Sequence, residues 1–168
     1  ASIPEVSDLV TIPANKNLGA NDRSLRRDNF YTPYHEQLEA LLKTRQSRGL
    51  LPVLFSVHSF TPHISGEDRP WHIGVLWNKD QRIARPLINA LERHSDDLVV
   101  GDNKPYSGKQ YAHTLDIHAG NYGYANCAVE IRQDLVQSKK EIRYWTTLIA
   151  KIISDILIST DITRKKYF

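Results

Sequence analysis

The strongest periodicity lies near the carboxyl end, where Ile142, Trp145, Leu148, Ile149, Ile152, Ile153 and Ile156 recur at helical spacing. This run predicts an amphipathic helix of about five turns with its apolar face in the core. Ser138-x-x-Glu141 just ahead of it is a capping box, which satisfies two orphan amide donors and marks where the helix begins. A second helix follows from Leu38, Leu41 and Leu42, with Thr32 as N-cap, Pro33 at the first helical position and Gly49 as the stop. Asp80 is placed to cap a third, carrying Ile83, Leu87, Ala90 and Leu91, although Pro86 must kink that helix or delay its start.

Between these periods lie short apolar runs rich in β-formers. Residues 52–57, 74–77, 98–100 and 125–131 predict strands, with His58 at the end of the first. Residues 1–21 read as an arm or long loop packed on something else. Residues 102–123 read as a long irregular stretch, and such loops in a compact domain tend to be functional. Strands separated by helices at this spacing predict an α/β fold, a mostly parallel sheet covered on both faces. Ligands of such sheets bind beyond the carboxyl ends of the strands.

The 168 residues fit one domain, 1–168, and 40% hydrophobic with 24% charged residues places it among ordinary globular proteins. The net charge is only +3, and the basic residues are scattered apart from Arg164, Lys165 and Lys166. No stripe suits a phosphate backbone, so nucleic acid is not the expected partner. Nor does any apolar run approach the roughly 20 residues a membrane span needs. Cys127 has no second cysteine to pair with, which points to a reducing, cytoplasmic setting. The chain contains no methionine and opens in a loop-like segment, so residues upstream of Ala1 are expected to have been removed or to lie outside this chain.

Three predicted strand ends lead into polar clusters: Ser56-Val-His-Ser-Phe-Thr-Pro62, Gly101-Asp-Asn-Lys-Pro-Tyr106 and Glu130-Ile-Arg-Gln-Asp134. Together they could line one crevice. An imidazole at one terminus and a carboxylate at another are the minimum for metal-assisted amide hydrolysis, in which the acid takes a proton from water and later returns it to the departing amine. Asn, Arg and Tyr nearby would suit an anionic, amide-bearing substrate. Each candidate has a plainer reading. His58 could simply bond backbone at a strand end, and Glu130 and Arg132, on one side of a strand, could pair with each other. His113 and His118 could be ligands, substrate donors or surface residues, and His35 a structural histidine beside a helix face. Arg69, Trp71 and His72 form either a substrate clamp or loop packing. Ser59 and Ser107 lack the Gly-x-Ser-x-Gly elbow of a nucleophile, and Cys127 among apolar neighbours reads as a buried inert thiol.

At these same residues the chain resembles the N-formylglutamate amidohydrolases. The likeness rests on His58-Ser-Phe-Thr-Pro, Arg69-Pro-Trp-His-Ile-Gly-Val-Leu-Trp-Asn78, Gly101-Asp-Asn-Lys-Pro-Tyr106 and Glu130-Ile-Arg-Gln-Asp-Leu135, with Ser2-Ile-Pro-Glu, Ile12-Pro-Ala-Asn15 and Pro33-Tyr-His35 in the same order upstream. It implies a three-layer α/β/α fold of the phosphorylase/hydrolase kind, related to zinc carboxypeptidases and aspartoacylases. It also implies hydrolysis of N-formyl-L-glutamate, or a similar small N-acyl amino acid, to formate and L-glutamate, as in histidine degradation. On that resemblance His58 is a ligand of a divalent metal, zinc, and Glu130 the carboxylate that activates water. Arg69, Asn103, Tyr106, His118 and Arg132 would hold the substrate. The family's amino-terminal stretch, with a further histidine, an acidic ligand and an Asn-Arg pair, is missing here, so the chain is expected to be the carboxyl-terminal part of a longer family domain. A lone His58 cannot hold a catalytic zinc, which takes about three protein ligands. The alternative expectation is therefore a catalytically incomplete domain that binds a small anionic ligand or a partner chain.

Overall fold

This computed structural model describes residues 3–7, 9–158 and 160–168, with 160 and 161 by backbone alone. Ala1 and Ser2, where the predicted arm and the family likeness begin, lie outside the described residues. The arm is more regular than its sequence suggests. Strands β1 (Val6–Ser7) and β2 (Val10–Thr11) pair antiparallel, and helix α1 (Ala20–Arg26) begins before the arm was expected to end. A π-turn over Arg27–Tyr31 then runs without a break into α2 (Thr32–Ser47). Thr32 is thus no N-cap, because Tyr31 before it is already helical. Pro33 accounts for the widened turn. Its ring has no N–H to donate and presses on the preceding turn, and a π-bulge absorbs that within a continuous helix. Gly49 does end the segment, in the left-handed region at φ 75°.

The central sheet is built from β3 (Leu54–Phe60), β6 (Ile73–Leu76), β7 (Val100–Asp102) and β8 (Asn126–Arg132), with a small hairpin of β4 (His63–Ile64) and β5 (Glu67–Asp68) between the first two. Strand order is β3-β8-β6-β7. The β3–β8 and β6–β7 pairs are parallel, and β8–β6 is antiparallel. The fold is α/β with a mostly parallel sheet, as expected, but the reversal in the middle matters. A parallel return needs a long crossover, usually a helix. Residues 61–72 hold only the hairpin, so β6 runs back against β8 and carries β7 with it. The end of β7 consequently lies away from the ends of β3 and β8, but the chain after it turns back, so Tyr106 of the second polar cluster joins Ser56, His58 and Glu130 of the other two around one cavity.

Alternation along the strands divides the core. Ile73, Val75, Cys127, Val129 and Ile131 meet Leu87, Ile88 and Leu91 of α3 (Ala84–His94) and Trp145, Leu148, Ile149, Ile152 and Ile156 of α6 (Lys139–Leu157). Each such side chain contributes roughly 1.5–3 kcal/mol by leaving water. The capping box forms as predicted, Glu141 N–H donating to Ser138 Oγ and Ser138 N–H to the Glu141 carboxylate. Ile142 departs from expectation at 49% exposed. Ile149, two turns on at nearly the same azimuth, is buried, so the first turn projects past the core. Asp80 caps nothing. It is buried against Arg82, and α3 starts only at Ala84, which leaves Pro86 in the first turn where no N–H is needed.

Leu76 and Ala128 point to the other face, where they meet Ala112 and Leu115. The stretch read as irregular thus contains two short helices, α4 (Gly108–Tyr111) and α5 (His113–His118). Among the described residues no helix is long and apolar enough to cross a membrane.

Gly74 and Gly101 let the chain after β7 cross the sheet at contact distance. A Cβ on Gly74 would stand 1.9 Å from the Lys104 carbonyl oxygen, and one on Gly101 2.7 Å from it. Asn103, at φ 52°, turns the chain into this path, its side-chain oxygen accepting from Trp77 N (3.0 Å) and Gly108 N (2.9 Å). Gly74→Ala is therefore expected to lift residues 103–106 off the sheet and lower stability by about 1–3 kcal/mol. Chemical denaturation measures the loss, and an unchanged midpoint would contradict the close approach.

Candidate active site

The β3–β8 register sets His58 directly beside Glu130, and the β6–β8 register sets Gly74 on the other side of Glu130. β3 continues to Phe60, so His58 lies within the strand and not at its end. Residues paired in this way share a face, which here also carries Ser56, Ala128 and Leu76. That face forms the floor of a cavity of about 380 Å³, walled by Tyr106, Tyr111, His113 and Thr114. The site sits on the sheet face and not beyond the strand ends, between the floor residues Ser56, His58, Ala128 and Glu130 and the wall that α4 and α5 supply.

Glu130 is the least comfortable group in the cavity. It is buried, and its Oε2 has no hydrogen-bond partner. Burial pushes its carboxyl above the ordinary range, opposed by the nearby positive charge of His58 and Arg69. A buried polar atom left unmatched costs about 1–3 kcal/mol, and such exceptions concentrate where chemistry is done.

Tyr106 reaches the cavity because residues 103–105 pass over the glycines. Its hydroxyl oxygen accepts from Arg69 Nη1 at 3.0 Å, so the phenol's own hydrogen remains to be donated. The Arg69 guanidinium lies 4.9 Å from the Tyr106 ring centroid and 5.9 Å from that of Phe60. Arg69 is therefore buried behind Tyr106 and is not among the residues that line the cavity. Arg132 also stands apart. It ion-pairs with Asp134 at 2.7 Å and donates to the carbonyls of Arg69, Pro70 and Trp71, which rules out the anticipated pair with Glu130. Asn103 spends its oxygen on the turn. His118 is buried away from the cavity, its Nε2 2.7 Å from His35 Nδ1, at a separate opening between α2 and α5 that also holds Glu36 and Glu39. Of the predicted site residues, His58, Glu130 and Tyr106 come together, while Arg69, Asn103, His118 and Arg132 serve the frame around them.

His72, Ser107 and Cys127 are engaged in the frame. His72 Nδ1 accepts from Val99 N at 2.9 Å, so the Arg-Pro-Trp-His loop is folded down as packing. Ser107 caps α4, and Cys127 is fully buried with its thiol pushed far up by desolvation. Tyr111 and Thr114 of the cavity wall were missed altogether, and His113 was weighed without being placed. Ser107-Gly-Lys, a cap before a short helix, was the available signal that this wall is ordered.

Among the described residues no group of three or more His, Cys, Asp or Glu side chains is arranged to hold a metal ion. His58 could supply one ligand beside the unmatched Glu130 oxygen, but a catalytic zinc takes about three from protein. The described residues therefore do not fit a complete metal centre by themselves. What they offer is a buried carboxylate able to carry a proton, an adjacent imidazole and a phenol that can donate.

Residues 1–137 match the family model for N-formylglutamate amidohydrolase. The fold matches the crystal structure of a gene product from Agrobacterium tumefaciens with a TM-score of 0.79 and 32% sequence identity, over 91% of this chain and 62% of that one. The chain thus spans somewhat under two thirds of that neighbour's length. No curated protein sequence matches it significantly. With the family model covering most of its length and the motif residues His58 and Glu130 facing one cavity, the chain belongs to the N-formylglutamate amidohydrolase family.

Proposed function

We propose that the protein hydrolyses the amide of N-formyl-L-glutamate, or a similar N-acyl amino acid, in the cavity over His58 and Glu130. The observation that carries this reading is the buried, unmatched Glu130 Oε2 beside an imidazole. In its ionised form Glu130 takes a proton from water as the water oxygen bonds to the acyl carbon. The carbonyl oxygen gains negative charge and accepts a hydrogen bond from the Tyr106 hydroxyl, whose oxygen is already held by Arg69. Protonated Glu130 then delivers its proton to the amide nitrogen, the C–N bond breaks, and formate and L-glutamate leave. A carboxyl raised toward neutrality suits this exchange, because it both accepts and returns a proton near its working pH.

The reading includes a divalent metal, zinc in the family likeness, which when bound would polarise the carbonyl and acidify water. His58 would be one ligand, and the others would come from outside the described residues. It also takes the architecture as three-layer and related to zinc carboxypeptidases, supported by α3 and α6 on one face of the sheet and α4 and α5 on the other. A second reading, a domain that binds an anionic amino acid without turning it over, is favoured by the lack of a three-ligand group among the described residues.

Glu130→Gln is expected to keep the fold, with a thermal midpoint no lower than the parent's, and to reduce formate release by about 10²–10⁴-fold. Undiminished turnover would clear Glu130 of the role. Because the Glu130 carboxyl is raised above its ordinary 4.5 and the ionised form is the base, kcat/KM should climb with pH through a midpoint above that value. A midpoint at or below it would contradict the assignment. Chelation should abolish formate release, and elemental analysis of the active protein should find the metal. Chelator-insensitive hydrolysis would remove the metal from the reading, and L-glutamate binding without formate release would favour the non-catalytic domain.

A further inference from the structure

The cavity has a polar wall that His58, Glu130 and Tyr106 do not account for. An N-acyl acidic amino acid brings carboxylates, which ionised Glu130 repels, so the site needs a cationic partner for them. Neither guanidinium suggested by the sequence is available. Arg69 is buried against Tyr106 and Phe60, and Arg132 is engaged by Asp134 and three carbonyls. Among the described residues no lysine or arginine lines the cavity, and its basic side chains are the imidazoles of His58 and His113. His58 adjoins Glu130 at the reacting centre. His113, the first residue of α5, lines the same cavity beside Thr114. Its Nε2 lies 2.7 Å from the hydroxyl of Tyr31, a residue from the turn that precedes α2. That bond engages one ring nitrogen, so a ligand of this side chain would be met by the other, Nδ1.

We propose that His113 binds a carboxylate of the substrate and that Tyr31 is its positioning residue, so the helical segment before α2 takes part in substrate selection. A hydrogen bond from the ring to a carboxylate forms equally in the ground and transition states, so it governs KM more than kcat. This rests on the reading of the cavity as an N-acyl amino acid site.

The test is steady-state hydrolysis of N-formyl-L-glutamate together with calorimetric binding of L-glutamate to the full chain. His113→Gln is expected to raise KM, and to weaken glutamate binding, by about tenfold with kcat nearly unchanged. Tyr31→Phe should raise KM less, by about threefold, at an unchanged thermal midpoint, and His113→Arg should recover part of the loss by restoring a positive donor. His113 is exposed, so the variants are expected to fold. Unchanged KM in an active His113→Gln protein would overturn this inference and leave amide hydrolysis standing. A fall in kcat alone would also overturn it, by moving His113 to the chemical step. His113-dependent glutamate binding in a protein that releases no formate would support the inference and sink the hydrolysis.

Discussion

The parallel pairing of β3 with β8 is the constraint on which the site depends. Its register sets His58 directly beside Glu130, so two groups far apart in sequence reach one cavity without any bond between their side chains. Side chains alternate along a strand, and a slip of one residue would send His58 to the opposite face and the apolar Val57 into the cavity. The buried face prevents that slip. Cys127, Val129 and Ile131 of β8 are locked against α3 and α6, so Glu130 between them has only the cavity to face.

Glu130 is consequently placed at a cost. A carboxylate with one unmatched buried oxygen opposes folding, and the opposing positive charge of His58 and Arg69 only partly relieves it. The fold offsets that cost on the other face of the same strand, where Cys127, Val129 and Ile131 pack closely into the core. One strand therefore carries both the core and the strained acid, an economical way to hold a reactive group rigidly.

Helices with a long apolar period and a cap were legible in the sequence, as α6 shows, because burial and local bonding there agree. Strand existence was legible too, but not direction. Nothing in the run Ile73-Gly-Val-Leu says that it opposes β8, since that follows from a connection too short for a crossover. Arg69, Asn103 and Arg132 have the chemistry of substrate contacts, yet their hydrogen bonds go to backbone and neighbours. The polar type of a residue is visible in sequence, whereas the partner that occupies it is not. Gly74 and Gly101 are the converse case. Their importance lies in the Lys104 carbonyl that passes over them, and a sequence shows only that two small residues are present.

The long amino-terminal helical segment completes the picture. α2 is 16 residues long and has none buried, so apolar packing does little to fix its place. Its links to the opposite wall are polar and aromatic. Tyr31 meets His113, and His35 meets His118 with their rings stacked at 5.0 Å. Hydrogen bonds between imidazoles and a phenol are directional, whereas apolar contact is not, so they fix angle and register where burial would leave both loose. A segment fastened by such bonds orients α5, and through it the cavity wall, while contributing little to the core. Stability and site geometry are thus carried by different parts of the chain: α3, α6 and the far face of β8 hold the fold, and the turn before α2 aligns the face on which chemistry would occur.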